Sequence, residues 1–184
     1  RIYNQHNSSL QTTIGDAASI RTNGVALDKN KNVWVTQYGV QRPLSKKTPD
    51  GQWNSFSFSN VISSPSVNLT GLLLDFDDYK WMPIRNDGVV VFDGSVSRKL
   101  GFNLNNGGLP GSNVNCLALD KEGAVWIGTN QGVAVAFNTN EVFRGANVEI
   151  PNIVDGQFLR PLLASENINC IAVDGANRKW IGTN

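Results

Sequence analysis

The sequence contains few of the residues on which catalytic and metal sites depend. Its 184 residues include one histidine, His6, and two cysteines, Cys116 and Cys170. A structural zinc site needs four nitrogen or sulfur ligands, and these three residues cannot supply them. A Ser-His-Asp triad would have to use His6, and no motif singles out any of the 15 acidic residues as a catalytic pair. We therefore expect no enzyme activity, no bound metal and no cofactor.

An excess of one charge and long apolar runs are also missing. The 16 basic and 15 acidic residues leave a formal net charge of +1, which provides no electrostatic attraction for nucleic acid or anionic membranes. No apolar stretch approaches the roughly 18 residues that a transmembrane helix needs. The sequence begins at Arg1 with no methionine or signal-like segment, so we expect a processed product or an excised piece of a longer protein. With 40% hydrophobic residues, the chain can still bury a sizeable core.

Four copies of one short pattern organise the chain. Each copy has an apolar run, an aspartate, a turn and, six residues after the aspartate, a tryptophan. The aspartates are Asp28, Asp75, Asp120 and Asp174, and the tryptophans are Trp34, Trp81, Trp126 and Trp180. The tryptophans are 47, 45 and 54 residues apart. One internal spacing that occurs four times is typical of a repeat protein, in which the repeat determines the fold.

The content of each unit predicts strands rather than helices, because short β-branched and apolar runs are bounded by Gly, Asn and Asp. A unit of about 45 residues with three or four strands is typical of a propeller blade. We predict an all-β fold: a partial β-propeller of about three full four-stranded blades plus parts of two others, forming one domain and about half of a larger ring. Full blades are predicted at 23–58, 69–102 and 114–150, the first two strands of a truncated blade at 168–184, and the outer strand of a preceding blade at 1–10.

The repeat resembles the propeller repeat of two-component-regulator sensors. The segments ALDKEGAVWIGTNQGVAVAF at 118–137 and VDGANRKWIGT at 173–183 follow its pattern of apolar strand, Asp and Trp-Ile-Gly-Thr. The copies at Trp34 and Trp81 depart from it, since Val-Thr-Gln and Met-Pro-Ile follow these tryptophans. Outside the repeats, PLSKKTPDGQWNSFSF at 43–58 and NIVDGQFLRPLLASENINCIAVDG at 152–175 resemble the PorZ-like propellers of the Bacteroidetes type IX secretion system.

These resemblances imply a non-catalytic binding or interaction module that is periplasmic or lies at the outer-membrane surface. A PorZ-like secretion component would dock proteins or an anionic glycolipid. The alternative is the periplasmic, oligosaccharide-sensing propeller of a hybrid two-component histidine kinase. The remaining blades of a larger propeller would be a further partner. Because each end of a partial ring presents an apolar surface and a free strand edge, we expect the isolated piece to self-associate.

The repeated aspartates and tryptophans are interpreted as structural. An aspartate that opens a tight turn accepts hydrogen bonds from amides two or three residues later, and a tryptophan such as Trp126 is expected to be buried between blades. The run Asp75–Asp78 resembles the start of a calcium loop, but it lacks glycine at the sixth position and has Asn86 at the twelfth, so no metal is expected. Cys116 and Cys170 occupy equivalent places in adjacent blades, and we expect them to be too far apart for the roughly 5.5 Å Cα separation of a disulfide.

Strand direction places the candidate ligand-binding residues at one end of the blades. If strands alternate in direction, the turns between second and third strands share one face with the long connections between blades, and such loops often bind ligands. The unusual stretch at 156–166 is interpreted either as a loop folded over the ring or as a contact surface. Its arginine suits a carboxylate or phosphate, and its phenylalanine suits a sugar face. The candidates are Tyr38, Arg85, Asn86, Asn130, Gln131, Phe158 and Arg160.

Overall fold

The computed structural model describes residues 2–184, which form antiparallel sheets and two very short helices. The first sheet contains, in order, β1 (Thr22–Leu27), β2 (Val33–Val40), β3 (Leu44–Lys47) and β4 (Trp53–Phe56). The end of β2 also pairs with β5 (Val67–Asn68). The second sheet contains, in order, β6 (Leu73–Leu74), β7 (Lys80–Pro83), β8 (Val89–Phe92) and β9 (Ser97–Leu100).

The later sheets have fewer strands. A 3₁₀ turn at Leu104–Asn106 precedes the third sheet, which contains, in order, β10 (Val114–Leu119), β11 (Val125–Thr129) and β12 (Gly132–Ala136). Helix α1 (Thr139–Phe143) follows, and then a separate hairpin of β13 (Asn152–Asp155) and β14 (Phe158–Pro161). The last sheet contains β15 (Ile168–Val173) and β16 (Lys179–Thr183). The predicted all-β, partial β-propeller fold is confirmed. No helix of the described residues is long and apolar enough to cross a membrane.

Each inner sheet is covered on both faces, as its sequence indicates. Successive side chains of a strand point to opposite faces. In β8, Val89 and Val91 pack in the apolar cluster shared with the third sheet, whereas Val90 and Phe92 pack in the cluster shared with the first. The run Val-Val-Val-Phe is therefore apolar throughout because neighbouring sheets lie on both sides of it.

Three apolar clusters lie between consecutive sheets and hold them side by side. Between the first and second sheets are Trp34, Leu44, Phe58, Met82 and Phe92. Between the second and third are Trp81, Leu100, Val125, Ile127 and Ala134. Between the third and fourth are Val133, Val135 and Ile168. The last cluster is the smallest, because the fourth sheet has only two strands with which to cover the third.

The repeated tryptophans become more exposed toward the end of the chain. Trp34 and Trp81 are 3% and 0% exposed, and Trp180 is 60% exposed. Trp126 packs against the cluster between the third and fourth sheets, but it is only partly buried, so the expectation of a buried side chain is wrong. The physical reason is that the fourth sheet lacks outer strands and leaves part of the indole uncovered.

The segment at 1–10 does not form the expected outer strand; Arg1 lies outside the described residues, and residues 2–10 contain no strand, with turns and bends at 5–9. Asparagine side chains bond to nearby backbone and compete with strand pairing. The amide of Asn4 donates to Asn7 Oδ1 at 2.8 Å, and the amide of His6 donates to Asn4 Oδ1 at 2.9 Å. The segment lies against the outer strand of the first sheet, where the Tyr3 and Trp53 rings meet edge to face at 5.2 Å.

The third sheet also lacks a regular fourth strand. Only a single bridge between Val135 and Glu149 marks its place, because α1 occupies the connection. The side chain of Asn138 caps this helix by accepting from the amide of Asn140 at 3.2 Å. Arg98 of β9 donates to the carbonyls of residues 142, 145 and 146 and so fixes the helix to the second sheet.

Candidate functional site

The aspartate and tryptophan of each repeat are joined by a hydrogen bond that spans the turn. The indole N–H donates to one carboxylate oxygen at 2.8–3.0 Å in Trp34–Asp28, Trp81–Asp75, Trp126–Asp120 and Trp180–Asp174. The other oxygen accepts from backbone amides: Asp120 Oδ1 accepts from Glu122 and Ala124, both at 2.9 Å. These bonds occupy the carboxylates within their own turns. Sequence reasoning anticipated the amide bonds and missed the indole bond.

The electrostatics of Asp120 follow from these contacts. Burial raises the pKa of its carboxyl, but hydrogen bonds from Lys179, Trp126 and the two turn amides outweigh burial and hold the pKa below its ordinary value. The Lys179 ammonium lies 2.9 Å from Asp120 Oδ2, and it crosses from the fourth sheet to the third. The Asp120 turn is therefore a contact between the third and fourth sheets.

Three of the seven candidate ligand residues occupy one equivalent position. Tyr38, Arg85 and Asn130 each lie four residues after the repeat tryptophan. Their amides each donate at 3.0 Å to a backbone carbonyl at the start of the same repeat, belonging to Arg21, Asn68 and Asn113 respectively. Three successive sheets thus present a side chain from the same backbone position.

We call this end of the sheets the connection end. The opposite end carries the repeat aspartates and is called the aspartate end; these residues are Asp28, Asp75, Asp120 and Asp174.

Tyr38 and Arg85 form a contact between the first two sheets. Arg85 Nη1 donates to the Tyr38 hydroxyl at 2.8 Å, and Arg85 is exposed. No carboxylate among the described residues pairs with its guanidinium. Asn86 is exposed in the left-handed region at φ 56, and its neighbour Asp87 pairs with Lys99. Arg85 is therefore held in place by a neutral hydroxyl and keeps donors free for an anion.

Asn130 and Gln131 differ in what their side chains do. Asn130 Oδ1 accepts from the amide of Asn113 at 3.2 Å, and a Cβ at Gly111 would approach this oxygen to 2.4 Å. The Asn130 carboxamide thus stabilises the junction of its turn with the incoming connection. Gln131 is exposed and its side chain borders a cleft.

This cleft, of about 340 Å³, lies between the connections that enter and leave the third sheet. Its lining includes Phe102, Pro110, Gln131, Ile150, Leu162 and Ser165. Phe102 is 50% exposed, and Leu163 and Ser165, in the connection that forms one wall, have φ values of 52° and 66°. A branched or bulky residue in the left-handed region is strained, and such residues are frequent at binding sites. Sequence reasoning missed Phe102 and Ser165, although both lie in or beside the long connections that it selected.

Phe158 and Arg160 lie on β14 and face the same side, since they are two residues apart. The Arg160 guanidinium lies 6.0 Å from the centre of the Phe158 ring, and the ring is 66% exposed. The hairpin leads through Pro161 into the wall of the cleft that Gln131 borders. Five of the seven candidates therefore form two groups at the connection end: Tyr38 with Arg85, and Gln131 with Phe158 and Arg160 of the hairpin. Asn130 stabilises its own turn, and Asn86 is exposed beside Arg85.

Comparison with known proteins supports the fold. A family model described as "Two component regulator propeller" matches residues 108–131, which include the third repeat. PorZ, a surface component of the type IX secretion system of Porphyromonas gingivalis, is 20% identical with a TM-score of 0.80, over 100% of this chain and 27% of PorZ. The resemblance stated from the sequence is confirmed.

Two other solved structures share the fold at lower similarity. The extracellular domain of the hybrid two component system BT3049 from B. thetaiotaomicron is 17% identical with a TM-score of 0.62, over 100% of this chain and 22% of that chain. Virginiamycin B lyase from Staphylococcus aureus is 13% identical with a TM-score of 0.59, over 89% of this chain and 49% of that chain. No curated protein matches this chain. The chain thus spans about a quarter of PorZ and less than a quarter of the sensor domain, with the blade architecture in common.

Proposed function

We propose that the chain is a non-catalytic binding module of the bacterial cell envelope, periplasmic or at the outer-membrane surface, and that its connection end docks an anionic glycolipid or a protein carrying an equivalent anionic group. The observation that carries this proposal is the exposed Arg85 guanidinium, which is positioned by Tyr38 at 2.8 Å and lacks a carboxylate partner among the described residues. An arginine with free donors favours bidentate binding of phosphate or carboxylate.

The distribution of charge supports an anion at this end. Two carboxylates at this end of the sheets, Asp16 and Asp87, are paired with Arg21 and Lys99. Arg42, in the turn after β2, is exposed and donates to a backbone carbonyl at 2.6 Å rather than to a carboxylate. The repeated turn carboxylates all lie at the aspartate end. The connection end therefore offers an anion the guanidinium groups of Arg85 and Arg42, neither of which is paired with a carboxylate among the described residues.

The apolar cleft supports a ligand with an apolar part. Phe102, Ile150 and Leu162 provide an apolar lining, and the Gln131 and Ser165 side chains provide hydrogen bonds at the border. A glycolipid combines anionic groups, sugar hydroxyls and acyl chains, and each has a matching surface at this end. The PorZ similarity supports the same class of role, since PorZ is described as a bacterial surface component.

A catalytic role is not proposed, although a lyase shares the fold. The lyase is catalytically inactive when one histidine is replaced by alanine. In this chain the only histidine is His6, which is exposed in the turns before the first sheet and contacts Gln5 at 3.1 Å.

Binding of lipopolysaccharide and of its dephosphorylated form tests the proposal. Arg85→Gln should weaken lipopolysaccharide binding about tenfold, since a hydrogen bond between charged groups contributes roughly 1.5–3 kcal/mol. Tyr38→Phe should weaken lipopolysaccharide binding less, because it removes the hydrogen bond that positions the Arg85 guanidinium and leaves the charge in place. Arg144→Gln is the matched control: it removes the same charge from an exposed ion pair with Glu141 on α1, away from the connection end. Equal binding by wild type and Arg85→Gln, or equal binding of both lipopolysaccharide forms, would contradict the proposal.

The similarity to an extracellular sensor domain favours one alternative, an oligosaccharide-sensing propeller of a hybrid two-component system. That function predicts binding of neutral oligosaccharides, insensitive to salt and to Arg85→Gln. Anion docking predicts binding that falls steeply as salt is raised. Titration at low and high salt therefore separates the two.

A second copy of the chain is the partner we propose for the two end sheets. Val25 and Leu27 on the outer side of the first sheet are 68% and 63% exposed, and Trp180 on the fourth is 60% exposed. The equivalent residues Leu72 and Leu74 pack against the preceding sheet. The exposed apolar face of the first sheet in one copy is therefore the surface that we propose covers Trp180 of another copy.

A further inference from the structure

We propose a second binding site at the aspartate end, for an arginine side chain in a basic segment of a partner protein. It is independent of anion docking at Arg85, because it lies at the opposite end of the sheets. The site is a cleft of about 290 Å³ between the aspartate turns of the second and third sheets and the start of α1. Its lining residues are Phe76, Asp77, Glu122, Gly123, Phe137, Asn138, Thr139 and Asn140.

A lysine joins the aspartate turns of neighbouring sheets at the first and third junctions. In both cases the lysine directly follows the repeat aspartate. The amide of Lys29 donates to both Asp78 carboxylate oxygens at 3.3 Å, and the amide of Lys121 donates to Asn177 Oδ1 at 2.9 Å. Each ammonium group also donates to a backbone carbonyl of the next turn, at residue 76 or 175. These hydrogen bonds close the two junctions at the aspartate end.

The second junction has a phenylalanine and a glycine in place of this pair. Phe76 follows its aspartate where the lysines stand, and Gly123 occupies the position of Asp78 and Asn177. Gly123 offers the Phe76 amide no side-chain acceptor. A Cβ on Gly123 would lie 3.2 Å from Phe76 Cδ2, so the ring rests against the turn of the third sheet. The junction stays open at this point, and Phe76 is 52% exposed.

A second phenylalanine, Phe137, lines the same cleft and is 54% exposed. It directly follows β12, and the equivalent residues after β3 and β8 are Thr48 and Asp93. Asp93 Oδ1 accepts from the amides of Ser95 and Val96 at 2.7 Å, so this position carries a turn in the second sheet. Both phenylalanines of the cleft thus stand where other sheets have polar residues. Exposed apolar side chains that gather in a cleft with a polar rim are typical of an interaction site.

The charge around the cleft is negative. Asp77 and Glu122 line it, and no basic residue does. Neither carboxylate forms an ion pair among the described residues. Burial, and after it the charges of Asp77, Asp75 and Asp93, raises the pKa of the Tyr79 phenol, as a negative potential at this end requires. The cleft therefore favours a cationic ligand with an apolar surface.

An arginine side chain meets both requirements. A planar guanidinium stacks on an aromatic ring and also donates to carboxylates. Asp77 Oδ2 accepts from Asn140 Nδ2 at 3.3 Å, which orients this carboxylate at the cleft. The Lys29 ammonium donates to the carbonyl of residue 76 and forms no ion pair with Asp77 or Glu122. The cleft is smaller than the roughly 300–1,000 Å³ of pockets for drug-sized ligands, as suits one side chain of a peptide.

Fluorescence anisotropy with a labelled Gly-Arg-Gly-Arg-Gly peptide tests this site. The same peptide with citrulline in place of arginine is the ligand control, because citrulline keeps the shape and loses the charge. The arginine peptide should bind wild type at low salt, and Phe76→Ser and Glu122→Gln should each weaken its binding about threefold, as for exposed cation–π contacts and ion pairs. Both residues are exposed, so both variants should fold. The matched controls are Leu104→Ser, an apolar residue that is 75% exposed, and Glu166→Gln, an exposed carboxylate before the last sheet.

The outcomes distinguish this site from the docking site at Arg85. Arg85→Gln should leave peptide binding unchanged, and Glu122→Gln should leave lipopolysaccharide binding unchanged. No binding of the arginine peptide, equal binding of the arginine and citrulline peptides, or equal binding by wild type and both variants would overturn the proposal. Binding of phosphatidylcholine vesicles in place of the peptide would overturn the ligand class.

Discussion

Truncating the repeat tryptophans one at a time measures how much each blade depends on its neighbour. Trp81, Trp126 and Trp180 make the same indole bond to an aspartate, at 2.9–3.0 Å. They differ in burial: Trp81 is 0% exposed, Trp126 is partly buried and Trp180 is 60% exposed. Because the local hydrogen bond is constant, differences among their alanine variants report on packing by the following sheet.

The expected free energies of unfolding follow from buried area. A tryptophan side chain covers about 200 Å², and about 25 cal/mol per Å² makes complete burial worth about 5 kcal/mol. Trp81→Ala should therefore destabilise by about 4–5 kcal/mol, at the upper end of large-to-small core changes. Trp180, which keeps 60% of its surface in water, should cost about 1–2 kcal/mol when truncated. Trp126→Ala should lie between them.

Urea unfolding followed by far-ultraviolet circular dichroism measures these values at equal protein concentration. The m-values must stay constant for the comparison to report on the native state. Trp53→Ala is the control, because this partly buried indole lies on an outer strand and makes no aspartate bond. A cost for Trp180→Ala within about 1 kcal/mol of that for Trp81→Ala, at low protein concentration, would refute the burial argument.

Two further predictions concern acid and self-association. Hydrogen bonds from Trp180, then from the Arg178 backbone and side chain, lower the pKa of Asp174 to about 2. The contribution of the Asp174 carboxylate to folding stability should therefore be complete above about pH 4 and lost as the pH falls toward 2. The Asp174→Asn variant should lack this part of the acid unfolding transition. The chain should dimerise at micromolar concentration in sedimentation, and Trp180→Lys, with Leu27→Lys as its partner variant, should give a monomer. A wild-type chain that remains a 20.0 kDa monomer would contradict pairing of the end sheets.

The fold was predictable because the repeat encodes its own turn. An aspartate and a tryptophan six residues apart are joined within one hairpin, so their spacing depends on local geometry and survives in all four copies. The exposure of each tryptophan was not predictable in the same way. It depends on the number of strands in the next sheet, and the four copies of the repeat look alike whether or not outer strands follow.

The irregular segments escaped sequence reasoning for a related reason. Residues 2–10 contain apolar and polar residues in an order compatible with a strand, yet asparagine bonds to their own backbone produce turns. The outer strand of the third sheet was displaced by α1, whose position depends on Arg98 in another sheet. Tertiary contacts decide whether local side-chain hydrogen bonds or strand pairing prevail, and the periodicity of the sequence does not reveal these contacts.

The candidate site was predictable in position but not in pairing. Strand alternation placed Tyr38 and Arg85 at the same end, and the structure adds that they are hydrogen bonded across 47 residues. That contact depends on the length of two side chains from adjacent sheets, which is a tertiary property.

One departure from the repeat changes the strand pairing of the second sheet. The copy at Trp81 departs most from the family pattern, since Met82-Pro83-Ile84 stands where the third copy has Ile127-Gly128-Thr129. Pro83 is unfavourable inside a sheet because it removes a ladder hydrogen bond. In the second sheet the carbonyl of Pro83 still accepts from the amide of Thr70 at 2.8 Å, and a bridge between Leu69 and Ile84 follows, so the pairing that Pro83 interrupts resumes beyond Gly71.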